Sequence, residues 1–385
     1  MKRSTSRILT THTGSLPRPA DLIESLRVRE SGQPYDEAAL AARVREAVAE
    51  AVQLQANAGV DVVSDGEMGK PGFFQYVRNR LNGLEGVNPQ ARINLDPDFP
   101  GYVEWRMVNR GSGGPGLMQG RPECIGPLSW KDKGALQTDI ANFKAALGKV
   151  NVEEGFMPSV SIGIVAARME NRYYPSHEAY VEAIAEVMKD EYKAITDAGF
   201  VLQIDAPEMC IDRNLEFRDR PIEDFRARLN LWVEALNHAL SGIPEEQVRF
   251  HICWGNQEGP HIRDVPLMDL VDIMLKVNAG AYSVEASNPR HAHEWRVWKN
   301  VKLPDGKVLI PGVIDSTTNF VEHPELVADR ICTYADIVGR ENVMAGTDCG
   351  FGTSANSNMI YPPIVWAKLA TMADGARIAT QRLWG

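Results

Sequence analysis

A histidine and a cysteine separated by one residue are the first candidate metal ligands in this sequence. They are His251 and Cys253, at the end of an apolar run that begins at Val248. Because successive side chains of a β-strand point to opposite faces, positions 251 and 253 share one face while Ile252 points to the other. Imidazole nitrogen and thiolate sulfur are ligands that zinc prefers. The spacing therefore predicts two ligands that converge on one point.

Two further candidate ligands lie at the ends of later strand-like runs. Glu285 ends the run that begins at Ala281, and Cys349 directly follows the run that ends at Asp348. A histidine, two cysteines and a glutamate would form a tetrahedral zinc site. Each residue alone has an ordinary structural explanation, since a buried cysteine behaves as a small apolar residue. Together, at neighbouring strand ends, the four favour a metal site.

The charge of this ligand set indicates the chemistry. Two thiolates and a carboxylate more than cancel the charge of Zn²⁺, so the ion would be a weak Lewis acid, poorly suited to making hydroxide. It could instead hold a substrate thiol as a thiolate, although a free thiol with a pKa of about 8.5 is mostly protonated at neutral pH. The set predicts attack of a zinc-bound thiolate on an alkyl carbon. A zinc hydrolase and a non-catalytic thiol-binding protein are the alternatives from other classes.

Several acidic residues and histidines near other strand ends could contact a substrate. Glu67 follows the second strand-like run, Asp205 ends the fourth and Asp315 ends the seventh. Carboxylates at these places could bind an ammonium group or exchange protons, and we assign Asp315 to proton transfer. His261 and His291 lie in loops, and His261 is our candidate proton donor. For Glu67 and Asp205, a surface ion pair or a helix N-cap explains the spacing equally well.

A parallel barrel would bring these residues together. Eight short apolar runs alternate with amphipathic segments, a pattern typical of a parallel sheet with crossover helices. The runs are 8–12, 60–64, 155–160, 200–205, 248–253, 281–285, 308–315 and 343–348. The main helical segments are 35–58, 176–198, 221–240, 266–277 and 324–338. Because the carboxyl ends of barrel strands share one face, the sequence predicts an α/β protein, a single (β/α)8 TIM barrel over residues 1–385.

One region interrupts this alternation. Residues 83–149 are rich in Gly and Pro and lie between the second and third predicted strands. We interpret them as an insertion within the single domain. The glycine cluster at 111–116 contains a Gly-x-Gly, but no strand precedes it and Pro115 interrupts it, so it does not fit a dinucleotide-binding loop.

The composition argues against several other classes of protein. The chain of 385 residues has 41 Lys and Arg against 51 Asp and Glu, a net charge of -10, which disfavours a nucleic-acid partner. It contains no apolar run of about 18 residues and no secretory signal, which predicts no membrane partner. Its five cysteines form no C-x-x-C pair and are typical of reduced thiols. We expect a cytoplasmic protein, a monomer or a homodimer.

Several short segments resemble the catalytic barrel of the cobalamin-independent methionine synthase family and the related epoxyalkane:coenzyme M transferases. The segments occur in the same order through nearly the whole chain, at 12–19, 65–67, 203–207, 251–253, 284–285, 312–315 and 347–350. The resemblance implies a zinc ion bound by the His and Cys of His-x-Cys, the Glu of the next strand and the Cys of Asp-Cys-Gly. In this sequence those residues are His251, Cys253, Glu285 and Cys349.

The same resemblance implies the substrates. Ser15, Glu67 and Asp205 would bind the amino-acid part of homocysteine, and a methyl-folate is one candidate alkyl donor. Two departures concern that donor. Segment 158–165 lacks the tryptophan that lines the family's folate site, and Asp315 is followed by Ser316 instead of a histidine. The sequence predicts methyl transfer to homocysteine, with thiol addition to an epoxide or thioether cleavage as alternatives.

Overall fold

A curled parallel sheet forms the centre of the protein. The computed structural model describes residues 1–88, 98–102, 104–105, 121–355 and 359–385. Within these ranges the central sheet has seven strands, which in spatial order are β1 (Val62–Val63), β6 (Glu154–Val160), β8 (Val201–Asp205), β9 (Val248–Ile252), β10 (Ala281–Val284), β11 (Val308–Ile314) and β12 (Gly346–Thr347). Each neighbouring pair is parallel. Short outer strands are β2 (Leu81–Asn82), β3 (Gly86–Asn88), β4 (Arg121–Cys124), β5 (Ser129–Trp130) and β7 (Glu170–Asn171).

The two edges of the central sheet are joined by the segment that we predicted as the first strand, 8–12. Thr10 forms a parallel bridge with Ala345, next to β12, and Thr11 forms one with Val62 of β1. Because these contacts are isolated bridges, the segment is not a full strand. The last predicted strand, 343–348, is also shorter than expected and is reduced to β12 with bridges at Val343 and Ala345.

The sheet separates two apolar cores. The larger packs the strands against the helices. The smaller fills the base of the curl, with one or two side chains from most strands: Leu9, Val62, Phe156, Val201, Ala281, Val308, Ile310 and Met344. The buried Arg249 lies next to this smaller core, 3.4 Å from the centroid of the Phe156 ring. It donates hydrogen bonds to Gln203 Oε1 at 2.6 Å and Thr11 Oγ1 at 2.9 Å, which ties three strand segments together.

Helices cover the outside of the sheet. The described α-helices are Ala20–Glu30, Glu37–Asn57, Tyr76–Arg80, Gly134–Leu147, Ile162–Arg168, His177–Asp197, Glu208–Ile211, Ile222–Ala239, Val271–Met274, Pro324–Val338 and Pro362–Trp384. Short 3₁₀ turns are Asp212–Asn214, Glu245–Gln247, Leu267–Asp269, Glu294–Lys299 and Arg340–Asn342. Asp36 and Ser176 cap two of the predicted helices, since each side chain accepts a hydrogen bond from the backbone N–H three residues later. The predicted helix 266–277 divides into two short helical pieces, because Leu270 between them leaves helical geometry at φ -122°.

The predicted insertion is described only in part. The glycine cluster at 111–116 lies outside the described residues. Within 83–149, helix Gly134–Leu147 packs against helix Glu37–Asn57, as a crossover helix does. The boundaries of the insertion and the single-domain assignment stay predictions. None of the helices in the described ranges is both long and apolar enough to cross a lipid bilayer. The cytoplasmic location and the monomeric or dimeric state also stay predictions.

Candidate metal and thiol site

A cavity of about 220 Å³ opens at the carboxyl ends of the central strands. Two groups of predicted site residues line it. The first group contains the candidate metal ligands His251, Cys253 and Cys349, and the second contains the candidate substrate-binding residues Ser15, Glu67 and Asp205. The other described lining residues are Thr13, Phe73, Pro207, Ile211, Gly255, Asn256, Gln257, Gly350 and Thr353. The fold therefore brings soft metal ligands and carboxylates to one cavity.

The candidate ligand atoms of His251, Cys253 and Cys349 lie within 4.8 Å of one another. The two sulfur atoms are 3.8 Å apart, and both cysteines are free thiols. Zinc binds thiolate at about 2.3 Å, and two such bonds at a tetrahedral angle separate the sulfur atoms by about 3.8 Å. The observed separation thus fits two sulfur ligands of one zinc ion.

Two features of the His251 imidazole suit a metal ligand: the ring is neutral and one of its nitrogens is unpartnered among the described residues. Burial lowers its pKa to about 3, helped by the positive charge of Arg249, so the ring is neutral. Its Nδ1 lies 3.1 Å from Ser283 Oγ. Its Nε2 is buried and has no hydrogen-bond partner among the described residues. An unpartnered buried nitrogen is costly, and a metal ion would satisfy it while Ser283 fixes the ring orientation.

The two thiols need a cation to ionise together. The neighbouring Cys349 thiol and burial together raise the pKa of Cys253 well above its ordinary value. A divalent metal has the opposite effect, because thiolate is the form that coordinates it. The chemistry of this donor set therefore fits a zinc ion.

Both carboxylate oxygens of Glu285 accept hydrogen bonds from other residues. Its Oε1 accepts a hydrogen bond from Trp254 N at 3.0 Å, and its Oε2 accepts one from Asn288 Nδ2 at 2.8 Å. Burial, followed by the nearby Cys253, raises the pKa of Glu285 well above its usual range. Glu285 is not among the three residues whose ligand atoms cluster. Its role as the fourth ligand stays a prediction.

The carboxylates of the second group differ in their hydrogen-bond partners. Glu67 Oε1 accepts a hydrogen bond from Lys70 Nζ at 3.1 Å, whereas Glu67 Oε2 has no partner among the described residues. Asp205 Oδ1 accepts one from Gln203 Nε2 at 2.6 Å. Burial, followed by the charge of Glu67, raises the pKa of Asp205 well above its usual range. The cavity thus offers acceptors to a positively charged group.

A family model described as the catalytic domain of cobalamin-independent synthase matches residues 8–92 and 164–377. The chain belongs to this family. Methionine synthase of Thermococcus kodakarensis is 24% identical over 377 residues, which cover 97% of this chain and 94% of that protein. Methionine synthase of Saccharolobus solfataricus is 24% identical over 382 residues, covering 97% and 95%. The resemblance that we inferred from short motifs is confirmed.

Solved structures of B12-independent methionine synthases share the fold. The enzyme from Shewanella sp. W3-18-1, in complex with selenomethionine, superposes with a TM-score of 0.71 at 21% identity and covers 98% of this chain and 99% of that chain. A putative enzyme from Listeria monocytogenes gives 0.66 at 18% identity, covering 98% and 99%. At such identities the likeness concerns the architecture, and it confirms an α/β fold around a curled parallel sheet.

Two predicted catalytic residues of this family member do not line the cavity. The carboxylate of Asp315 accepts hydrogen bonds from Thr317 N and Thr317 Oγ1 at 2.8 Å and from Thr318 Oγ1 at 2.6 Å, which close the turn after β11. His261 contacts Asp264 Oδ2 at 2.8 Å and the Gln257 carbonyl at 3.0 Å. Both side chains are occupied with local structure, so proton transfer by them stays a prediction.

Sequence reasoning missed the residues that hold the ligands in place. Asp348 accepts backbone hydrogen bonds from Ala286, Ser287 and Asn288 at 2.8, 2.9 and 2.9 Å, fixing the loop after Glu285. The sequence marks Asp348 only as the polar end of the last predicted strand. Strand period offered a signal for Ser283, because it lies in β10 two residues before Glu285, which directly follows that strand.

Proposed function

We propose that this member of the family is a zinc-dependent thiol S-alkyltransferase on a (β/α)8 barrel, and that it transfers a methyl group to homocysteine. One observation carries the proposal: a single cavity is lined by the sulfur and nitrogen cluster and by Ser15, Glu67 and Asp205. A thiol that also bears an amino-acid group can use both sets at once. The names of the two archaeal relatives support the same reaction.

His251, Cys253 and Cys349 would hold the zinc ion, with Glu285 as the proposed fourth ligand. Zinc held there would keep the sulfur of a bound thiol in the thiolate form at neutral pH. The protein residues would bind and orient the rest of the substrate. The apolar side chains of the cavity would limit water around the reacting sulfur, and a fixed geometry of sulfur and alkyl carbon would lower the entropic part of the barrier.

The charge of the cavity favours an amino thiol as the acceptor. The described lining residues include the acidic side chains of Glu67 and Asp205 and neither Lys nor Arg. An ammonium group can donate hydrogen bonds to their oxygen atoms, whereas the sulfonate of coenzyme M would meet no cation among these lining residues. This supports homocysteine over coenzyme M, and therefore methyl transfer over thiol addition to an epoxide.

Metal analysis with calorimetry tests the proposal. Purified wild-type protein should hold one zinc ion per chain and Cys349→Ala should hold far less. Isothermal titration with homocysteine should release a proton, whereas coenzyme M should bind weakly. Zinc-loaded protein should then methylate homocysteine when supplied with a methyl-folate or another methyl donor.

The outcomes separate the alternatives. Absence of bound metal in the wild type would overturn the proposal. Tight binding of coenzyme M together with no binding of homocysteine would favour the epoxide reaction. Ester or amide hydrolysis would favour a zinc hydrolase. Thiol binding that survives metal removal, without turnover, would favour a non-catalytic thiol-binding protein.

A further inference from the structure

Lys70 is a buried cation behind the cavity. Its side chain is 5% exposed, and it is not among the residues that line the cavity. Its ammonium group donates hydrogen bonds to Glu67 Oε1 at 3.1 Å and to the Pro158 carbonyl at 2.7 Å. It also lies 4.4 Å from the centroid of the Tyr76 ring. Lys70 can therefore influence a bound ligand chiefly through Glu67.

Glu67 is held at almost every polar atom. Its backbone N–H donates to Asp65 Oδ1 at 3.0 Å, and its carbonyl accepts from Arg18 Nη2 at 2.8 Å. Its φ of +58° is unusual for a residue with a side chain, so these contacts must maintain a strained backbone. With Oε1 bound to Lys70, the buried Oε2 is the acceptor left for a ligand.

Buried contacts on the side away from the cavity also hold Lys70 in place. The Tyr76 hydroxyl donates to Glu191 Oε1, and Arg80 Nη1 donates to Glu191 Oε2 at 2.9 Å. Ser159 Oγ donates to Glu191 Oε1 at 2.7 Å. These buried contacts fix the aromatic ring against which the ammonium group packs. The position of Lys70 is thus set by tertiary contacts as well as by Glu67.

We propose that Lys70 is a positioning residue that orients the Glu67 carboxylate, so that Oε2 receives the ammonium group of the acceptor thiol. This inference rests on the proposed function. A buried carboxylate is costly unless a cation is near, and Lys70 supplies that cation without entering the cavity. Because Lys70 occupies one oxygen, a substrate ammonium group is directed to the other. Lys70 would thereby set the preference for amino thiols.

Paired thiols test this role. Homocysteine and 4-mercaptobutanoate have the same chain, thiol and carboxylate, but only homocysteine has an amino group. Zinc-loaded wild type, Lys70→Met, Lys70→Arg, Glu67→Gln and the double variant Glu67→Gln/Lys70→Met would be titrated calorimetrically with each thiol. Lys131→Met is the matched control, because Lys131 is 36% exposed and lies 3.6 Å from Glu85, at the surface.

We expect Lys70→Met to weaken homocysteine binding on the order of 100-fold, while 4-mercaptobutanoate binding changes less than about 3-fold. Lys70→Arg should recover part of the loss, and the double variant should be no weaker than Glu67→Gln, since Lys70 acts through Glu67. Lys131→Met should match the wild type. Zinc content and thermal unfolding, followed in parallel, would show whether each variant remains folded.

Equal weakening of both thiols in folded, zinc-loaded Lys70→Met would overturn the inference, because a purely structural role has no preference for the amino group. Additive losses in the double variant would also overturn it. In either case the proposed function would stand if the wild type binds homocysteine with proton release. Failure of the wild type to bind homocysteine would overturn the proposed function and this inference together.

Discussion

The two groups of residues that line the cavity differ in charge and in what holds them. In the first group, His251 and Cys253 are uncharged without a metal, since burial lowers the pKa of His251 to about 3 and the adjacent thiol raises that of Cys253. The second group holds Glu67 next to a buried lysine. The first is positioned by strand ends, the second largely by loops and an ion pair. This difference supports the proposal that the first group binds a metal cation and the second group binds the ammonium group of the substrate.

The largest effect should come from removing a sulfur ligand. Cys253→Ser should abolish zinc retention and alkyl transfer, because a serine hydroxyl is a poor replacement for thiolate. The loss should exceed the 10–100-fold typical of residues that only support a ligand. Metal analysis and circular dichroism would check that zinc is lost while the fold remains. Cys332→Ser, a partly buried cysteine on helix Pro324–Val338, is the control. Full metal content in Cys253→Ser would remove the distinction between the two groups.

A smaller loss should follow from disturbing the loop beside the metal ligands. Asp348→Asn replaces an acceptor with an amide donor that would face backbone N–H groups. We expect zinc affinity to fall about 10–100-fold and the free energy of unfolding to fall by about 2 kcal/mol. Competition with a metal chelator and urea unfolding would measure these changes. Asp305→Asn, at a side chain that is 88% exposed, should change neither.

Two buried serines allow a finer test of how His251 is oriented. Ser283→Ala removes the contact to His251 Nδ1, and zinc affinity should fall about 10-fold. Ser287→Ala removes a buried hydroxyl next to Asp348, in the loop after β10, so zinc affinity should change less than in Ser283→Ala. Equal zinc affinities in the two variants would show that the contact with Ser283 is not needed to orient His251.

The smallest effect should come from a charged histidine next to the first group. The rings of His291 and Trp254 stack with their centroids 3.9 Å apart. Both ring nitrogens of His291 face acceptors, Asp264 Oδ2 and Glu294 Oε2, each at 3.0 Å. Burial alone would lower the pKa of His291, but the hydrogen bonds to Asp264 and Glu294 raise it above its ordinary value. The stabilisation of the folded protein by the charged His291 is therefore complete below the unfolded-state pKa of about 6.5. It is lost as pH rises through the raised folded-state pKa.

His291→Gln should accordingly lower the free energy of unfolding by about 1–2 kcal/mol at pH 6 and by progressively less at higher pH. Urea unfolding of both proteins between pH 6 and 9 would measure the difference. His293→Gln, at an exposed histidine two positions away, is the control. A constant or growing difference with rising pH would show that His291 is not stabilised as a cation.

The fold was predictable where neighbouring residues carry the signal. Ser176 and Asp36 cap helices close to the predicted boundaries, since capping depends on residues three positions apart. The first strand was less predictable, because Thr10 and Thr11 pair with Ala345 and Val62 and their pairing depends on closure of the sheet. One local contact was also missed: Asp315, which sequence reasoning assigned to proton transfer, accepts hydrogen bonds from Thr317 and Thr318, two and three residues later.

The sequence by itself determined that His251 and Cys253 share a face, because strand period is a property of adjacent residues. Tertiary structure alone decided that the sulfur of Cys349, 96 residues after Cys253, lies 3.8 Å from its partner. It also decided that Glu285 accepts a hydrogen bond from Trp254 N and that Lys70 donates one to the Pro158 carbonyl, 88 residues away. Such contacts join residues far apart in the chain, where many donors compete for each buried acceptor, and only the packed fold selects one pairing.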